Sequence, residues 1–269
     1  MTKNSLSTQR LSILGSGWLG TPLAEHFVGQ GYPVNLSTRK AEKLMPIKQL
    51  GAGAYLVDID NDIYPSGFLA DADILICNIT SKNKLGFASL IAQLAKSSIK
   101  HVLFISSSSV YRNTNALASE DADAEDPNSA LYQIEQAFQA CPEFTTTILR
   151  LSGLIGYRRH PGRFFANGKI VDQPDAPVNL IHRDDCIGLI NQIIEQSAWG
   201  EVFNGCSDSH PTKRDFYSYA RGLLGQPAPN FAYGAQNLTK IVSNAKIKQK
   251  LGYRFIYPDL MQIPFNEIG

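Results

Sequence analysis

The segment Gly15-Ser16-Gly17-Trp18-Leu19-Gly20 follows directly on the apolar run Leu11–Leu14. In the pattern G-x-G-x-x-G, the first glycine permits a tight turn, the second lets the backbone approach a pyrophosphate, and the third lets a helix pack against a strand. Amide groups at the start of that helix then point toward the anion. The order of apolar run, glycines and helix predicts a strand–turn–helix unit that binds a dinucleotide, and we expect these six residues to form part of its site.

Five more apolar runs of strand length recur along the first 150 residues. They are Val34–Leu36, Ala54–Val57, Ile74–Cys77, Val102–Ile105 and Thr146–Leu149. Runs that are apolar throughout indicate strands buried on both faces, as in a parallel sheet covered by helices. The segments between them have the apolar spacing of helices. Repeated β-α-β units predict an α/β fold with a doubly wound parallel sheet, the Rossmann fold.

The domain organisation is expected to change near Arg150, where the alternation weakens and loops with Pro and Gly appear. We expect residues 1–150 to form the dinucleotide-binding core. Residues 151–269 then form a smaller, mixed C-terminal substrate lobe, packed as one unit with the core. The acidic stretch 114–128 has the composition of a solvated loop.

Composition excludes several classes of protein. The 269 residues carry a formal net charge of +1, whereas nucleic acid or a membrane surface would favour a basic face. The four cysteines are widely spaced with no CxxC pair, so we expect neither a disulfide framework nor a bound metal. The polar residues 1–10 lack the apolar stretch of a signal peptide, and no run approaches the roughly 20 apolar residues of a membrane span. We expect a cytoplasmic protein with no nucleic-acid or membrane partner.

The end of the second predicted strand bears on the choice of dinucleotide. NAD-specific sites usually place an Asp or Glu there, about 20 residues past the glycines, to hold the ribose 2′-hydroxyl. This chain has Ser37-Thr38-Arg39-Lys40 instead. Such a strand end can pair with a 2′-phosphate, the arginine in bidentate fashion. We expect Thr38, Arg39 and Lys40 to bind the cofactor, with NADP(H) preferred over NAD(H). The alternative is a solvated helix start in which these cations and Lys43 face water.

Further motifs follow the later predicted strands. They are Asp58-Ile59, Asn78-Ile79-Thr80, Ser106-Ser107-Ser108-Ser109-Val110-Tyr111 and His182-Arg183-Asp184-Asp185. Together with the glycines they resemble the extended and atypical short-chain dehydrogenase/reductases, the NAD-dependent epimerase/dehydratase family. The resemblance implies that Asp58 and Ile59 flank the adenine, that Asn78, Ile79 and Thr80 line the inner ribose, and that Ser107 orients a substrate hydroxyl. It also implies a homodimer, because related enzymes often associate through the helices approximated here by 84–98 and 129–141.

The chain departs from this family at its catalytic pair. The family uses a Tyr as general acid/base, with a Lys four residues on that lowers the pKa of the phenol. Residues 101–168 contain no Lys. One register puts Ser129 at the Tyr position and Gln133 at the Lys position, and a shifted register that uses Tyr132 puts Gln136 at the Lys position. Neither supplies the pair, so the resemblance is to a subgroup that lacks it.

Three interpretations of the missing lysine stay open. The protein is an active NADP-dependent reductase or epimerase that uses other groups, either Tyr132 or Tyr111 with Arg112 as the cation. Alternatively, it is a catalytically silent NADP(H)-binding regulator or redox sensor, or it catalyses something unrelated on the same scaffold. The catalytic candidates from sequence are Ser107 and Tyr132.

Basic residues gather between positions 158 and 169, in loops expected to overhang the cleft. Such a cluster can receive a small anionic substrate, such as a nucleotide-sugar or a phosphate ester. We expect His160 and Arg163 to bind it, and the alternative is solvated loop charge. Farther along, Asp184 or Asp185 is well placed to cap a helix, because a carboxylate in the first turn favours the helix dipole.

Overall fold

A computed structural model describes residues 9–234 and 238–265 of the chain. The expectation that the chain has no signal peptide concerns residues 1–10, and residues 1–8 lie outside the described residues. The strands are β1 (Leu11–Leu14), β2 (Val34–Thr38), β3 (Gly53–Leu56), β4 (Ile74–Cys77), β5 (His101–Ser107), β6 (Ala116–Ala118), β7 (Thr145–Leu151), β8 (Gly153–Ile155), β9 (Ile170–Val171), β10 (Leu180–His182), β11 (Val202–Gly205), β12 (Asn230–Phe231) and β13 (Lys240–Val242). The helices are α1 (Gly20–Gly29), α2 (Leu44–Gln49), α3 (Ser66–Leu69), α4 (Lys84–Leu94), α5 (Ala130–Gln139), α6 (Arg183–Glu195), α7 (Lys213–Gly222) and α8 (Ala245–Leu251).

A seven-stranded parallel sheet flanked by helices has the strand order β11-β7-β5-β4-β1-β2-β3. Strands β1 and β4 are buried along their whole length, and β1 pairs in parallel with β2 on one side and β4 on the other. The α/β prediction with a doubly wound parallel sheet is therefore confirmed. The strand order changes direction between β1 and β4, which is where sheets of this kind open a crevice for ligands.

Each of the six apolar runs picked out from the sequence forms a strand of this sheet. Their ends differ from the predicted ones by no more than two residues. Three more parallel pairs lie outside it, namely β10 with β8, β12 with β9 and β13 with β6. In the described part of the chain, no helix is long and apolar enough to cross a membrane.

The chain divides into two compact units that are interleaved in sequence. The first unit comprises the described parts of 1–106, 127–149 and 198–202, and the second unit those of 107–126, 150–197 and 203–269. Sequence reasoning instead expected two consecutive parts that meet at residue 150. The expectation that the two parts pack as one unit stays a prediction.

Three phenylalanines mark the centre of the first unit's core. Phe87, Phe104 and Phe138 are each no more than 1% exposed, and their ring centroids lie 4.9 to 5.9 Å apart. Full burial of one such side chain stabilises a fold by about 1.5–3 kcal/mol. This cluster joins α4 and α5 to β5 and so holds the helices of the first unit on its strands.

The acidic stretch 114–128 is exposed at most of its positions, as its composition suggested, but it is not a loop throughout. It contains β6, in which Leu117 pairs with Ile241 of β13 and Ala118 is 2% exposed. Glu125 of the same stretch is also largely buried, beside Arg150. The expectation of a solvated stretch thus holds for most of its residues, and the strand was missed because its partner lies in a distant part of the chain.

Helix α1 begins in unusually close contact with the turn that precedes it. A Cβ atom added to Gly20 would lie 1.8 Å from the carbonyl oxygen of Gly15, whereas one added to Gly29, at the other end of α1, would have nothing within 4 Å. The absence of a side chain at Gly20 therefore lets α1 lie against the end of β1.

We predict that Gly20→Ala lowers the free energy of unfolding by about 3 kcal/mol, because the added methyl group must push α1 away from the turn. The matched variant Gly29→Ala leaves it unchanged or raises it by up to about 1 kcal/mol, the difference in helix propensity. Denaturant unfolding of both variants measures this. Equal stability of the two would contradict the close packing of α1.

Candidate functional site

A cavity of about 490 Å³ lies in the first unit, at the carboxyl ends of β1 to β4. It is lined by Leu14, Gly15, Ser16, Gly17, Ser37, Thr38, Arg39, Lys40, Lys43, Val57, Asp58, Ile59, Asp60, Asn78, Ile79, Thr80 and Ser81. These residues come from the turns that follow four parallel strands. The cavity therefore occupies the crevice at which a doubly wound sheet binds its ligand.

The glycine turn forms one wall of this cavity. Gly15 has a φ of +107°, a conformation that favours glycine, and its amide donates to the hydroxyl oxygen of Ser37 at 2.8 Å. At Gly17 an added Cβ would have nothing within 4 Å, so a ligand can approach its peptide without meeting a side chain. This open cradle at the start of α1 fits the diphosphate of a dinucleotide.

Eleven of the fourteen residues predicted to bind the cofactor line the cavity. They are Gly15, Ser16, Gly17, Thr38, Arg39, Lys40, Asp58, Ile59, Asn78, Ile79 and Thr80. The other three, Trp18, Leu19 and Gly20, lie outside that lining, and Leu19 and Gly20 are buried. The structure brings the four sequence motifs together, and their roles in binding stay predictions.

Cations gather on the side of the cavity formed by the end of β2. The guanidinium of Arg39 lies 3.6 Å from a carboxylate oxygen of Asp60, and Lys43 donates from Nζ to the carbonyl oxygen of Ser16 at 3.1 Å. Lys40 lies 3.9 Å from Glu42. This edge can therefore meet a phosphate, although part of its positive charge already faces carboxylates.

Sequence reasoning did not assign Ser37, Lys43, Asp60 and Ser81 to the site, yet all four line the cavity. A signal was present for two of them, because Lys43 lies four residues past Arg39 and Asp60 two residues past Asp58. No sequence signal points to Ser37 or Ser81, because their places in the cavity lining depend on how the turns after different strands pack together.

The turn after β3 is held by its own carboxylate. Asp58 accepts the amide of Asp60 at 3.0 Å and the side-chain amide of Asn61 at 2.9 Å, and its backbone bonds to Ile63 in both directions. These hydrogen bonds, that from the Asn61 side chain above all, lower the pKa of the Asp58 carboxyl. The turn is thus rigid where it borders the cavity.

The two catalytic candidates from sequence fall in different units, Ser107 in the second and Tyr132 in the first. Ser107 is half-buried and accepts the amide of Ser109 at 3.1 Å. Tyr132 is half-buried in the first turn of α5, which Ser129 caps by accepting the amide of Tyr132 at 3.4 Å. Ser107 and Ser129 thus have local structural roles.

A lysine reaches α5 from the neighbouring helix α4. Lys84 donates from Nζ to the side-chain oxygen of Gln133 at 2.9 Å, and Gln133 stands at the family's Lys position in one register. The sequence search missed Lys84 because it covered only residues 101–168. A cation therefore lies beside α5, although α5 itself carries none.

Tyr111 has a different cation partner from the one that one interpretation assigned to it. Its hydroxyl donates to Asn204 at 2.9 Å and accepts from Arg150 at 2.8 Å, while Arg112 instead donates to the carbonyl oxygen of Asp123 at 2.8 Å. Burial raises the pKa of Tyr111 to about 12. The structure therefore pairs Tyr111 with Arg150 and not with Arg112, whose guanidinium is held by a backbone carbonyl.

His160 and Arg163, the residues predicted to bind substrate, differ in exposure. His160 is 4% exposed, and its Nδ1 accepts the amide of Gly162 at 3.0 Å at the start of a short 3₁₀ turn. Its ring packs against Phe265, with centroids 5.0 Å apart. Arg163 is exposed. The geometry gives His160 a capping role, so the prediction of an anion contact now depends on Arg163.

The cap of α6 is supplied by His182 and not by either carboxylate. Nδ1 of His182 accepts the amide of Asp184 at 3.3 Å. Asp184 accepts from the hydroxyl of Tyr157 at 3.0 Å, and Asp185, fully buried, accepts the backbone amides of Ile256 and Tyr257 at 2.7 and 3.1 Å. Both carboxylates lie in the first turn as expected, but Asp185 anchors a later segment of the chain.

Within 9–234 and 238–265, no group of three His, Cys, Asp or Glu side chains could hold a metal ion.

The sheet and the place of the cavity at the carboxyl ends of its strands define the fold as a Rossmann fold. No protein-family model matches the sequence. The curated relative Protein YeeZ of Escherichia coli strain K12 is 29% identical to it, over 96% of this chain and all of YeeZ.

Solved structures share the whole fold. A conserved protein of unknown function from Silicibacter pomeroyi superposes with a TM-score of 0.80 at 23% identity, over 94% of this chain and 95% of that one. UDP-glucuronic acid 4-epimerase from Bacillus cereus, solved with NAD, superposes with a TM-score of 0.76 at 18% identity, also over 94% and 95%. These likenesses confirm the fold expected from the sequence motifs.

Proposed function

We propose that this protein binds NADP(H) in the cavity of its first unit and acts as a reductase or epimerase on a small anionic, nucleotide-sugar-like substrate. The observation that carries the proposal is the open backbone at Gly17, next to a φ-positive Gly15, at the point where α1 begins. A diphosphate needs this combination of bare backbone and helix N-terminus.

The preference for NADP(H) is supported by the cations at the end of β2. Arg39, Lys40 and Lys43 line the cavity, and none of the residues 37–40 is acidic. An arginine can make two charge-assisted hydrogen bonds to a phosphate, which makes it selective for the 2′-phosphate over a hydroxyl.

The substrate class is supported by the fold and by exposed positive charge. UDP-glucuronic acid 4-epimerase, a structural neighbour, acts on a nucleotide-sugar and was solved with NAD. In the second unit, Arg158, Arg159 and Arg163 are exposed. Guanidinium groups recognise phosphates and carboxylates in bidentate fashion, so these arginines suit an anionic substrate.

Tyr132 is the residue that we propose as general acid/base, with Lys84, which contacts the adjacent Gln133, as the cation of the site. A bound nicotinamide supplies or accepts the hydride. The role of Tyr132 is to give or take the proton on the substrate oxygen. Lys84, held on Gln133, takes the place of the family's lysine in this proposal.

A homodimer through α4 and α5 belongs to the same proposal. The support for it is the family resemblance, since related enzymes often associate through the two corresponding helices, and Leu85 on α4 is 83% exposed. The proposed partner is a second copy of this chain.

A second function is favoured by the absence of a lysine from α5 itself. If Lys84 does not act on Tyr132, the protein binds NADP(H) without turnover and serves as a regulator that responds to the redox state of the cofactor. Fold alone does not separate these two functions.

We predict that Arg39→Ala weakens NADPH binding about tenfold, because a charge-assisted contact with the 2′-phosphate is lost. NADH binding should change by less than about twofold, since its 2′-hydroxyl carries no charge. Calorimetric titration measures both. The control is Lys48→Ala, which removes an exposed cation of α2 that does not line the cavity. Equal losses for the two coenzymes in Arg39→Ala would refute the role of Arg39.

We predict that the protein catalyses hydride exchange at nicotinamide C4 with at least one compound from a panel of carbonyls and UDP-sugars. Tyr132→Phe should lower that rate about 100-fold or more, the usual contribution of a general acid/base. Tyr233→Phe, which alters a phenol that is 99% exposed, is the control and should keep the rate. Tight coenzyme binding without exchange for any compound would instead support the silent regulator.

A further inference from the structure

Asp60 places a carboxylate in the wall of the proposed coenzyme cavity. Its Oδ2 lies 3.6 Å from a guanidinium nitrogen of Arg39, and both residues line the cavity. The cation proposed to meet the 2′-phosphate therefore already has an anionic partner inside the site.

The position of this carboxylate does not depend on Arg39. Its other oxygen accepts the hydroxyl of Ser81 at 2.9 Å and the side-chain amide of Asn83 at 3.1 Å. The amide of Asp60 itself donates to Asp58 at 3.0 Å. Because three groups from two turns hold it, Asp60 stays in the wall when Arg39 turns toward a ligand.

Other charges near the site are placed differently. Asp58 also lines the cavity, but both of its carboxylate oxygens accept hydrogen bonds from its own turn. Glu42, which lies 3.9 Å from Lys40, is not part of the cavity lining. Lys43 interacts with a carbonyl oxygen, that of Ser16. Asp60 thus combines a place in the cavity wall with a direct ion pair to Arg39.

We infer that Asp60 is a specificity-determining residue, which competes with the coenzyme's 2′-phosphate for Arg39 and thereby limits the preference for NADP(H) over NAD(H). The inference rests on the proposed function. A 2′-phosphate must share the guanidinium with the fixed carboxylate or displace it, and in either case two negative charges come close together. The 2′-hydroxyl of NAD(H) has no charge and meets no such opposition.

The test is Asp60→Asn, with NADPH and NADH titrated separately by calorimetry. Asparagine keeps a side-chain oxygen for Ser81 and Asn83 but removes the charge that faces Arg39. NADPH should bind about threefold more tightly, within the range expected for a partly exposed ion pair. NADH affinity should stay within about 1.5-fold. Thermal unfolding of the same variant checks that the turn is intact.

Asp62→Asn is the matched control. Asp62 lies on the same turn with a φ of +55°, a conformation that asparagine also adopts. It accepts the hydroxyl of Ser89 at 2.6 Å and is not part of the cavity lining. This variant should leave both affinities unchanged.

The same substitution in an Arg39→Ala background tests the route of the effect. Because this background has no guanidinium for Asp60 to pair with, Asp60→Asn should no longer improve NADPH binding. An undiminished gain in that background would overturn the competition for Arg39. An unchanged ratio of NADPH to NADH affinity in the single variant, while both coenzymes bind, would overturn the inference alone. Failure of the wild-type protein to bind either coenzyme would overturn the proposed function and the inference with it.

Discussion

The contact between the start of α1 and the turn after β1 determines the geometry of everything around the cavity. Gly20 lies so close to the Gly15 carbonyl, and Gly15 so close to the backbone of Asn78, that a side chain at either position would collide with backbone. Three backbone segments therefore meet without intervening side chains. This close packing leaves Gly17 bare beside the cavity and brings the turns after β1 and β4 together.

Much of the fold was predictable, because its signals are local in the sequence. The strands β1 and β4 are fully buried runs whose bounds match those predicted, and Ser12 is the one polar residue in them. The glycine spacing predicted the turn and the start of α1, because this signal is also local in the sequence. Strand β6 was missed because its partner, β13, lies near the far end of the chain and a run of three residues is too short to show a period of its own.

The residues in the motifs of the candidate site could be predicted from the sequence, whereas the contacts between these residues could not. Arg39 and Asp58 could be found from their places after strands, but the ion pair between Arg39 and Asp60 depends on how two turns approach each other. In the same way, the contact of Lys84 with Gln133 depends on the packing of α4 against α5. The buried group formed by Tyr111, Arg150 and Asn204 likewise joins residues that no sequence spacing connects.

The central claim is that the bare peptide at Gly17 receives the diphosphate of a dinucleotide, and Gly17→Val tests it most directly. An added side chain at this position would point into open space, so the variant should unfold at the temperature of the wild-type protein. The account predicts that calorimetric titration then detects binding of neither NADPH nor NADH, although the wild-type protein binds at least one of them. A folded Gly17→Val protein that binds a coenzyme as tightly as the wild type would contradict the account.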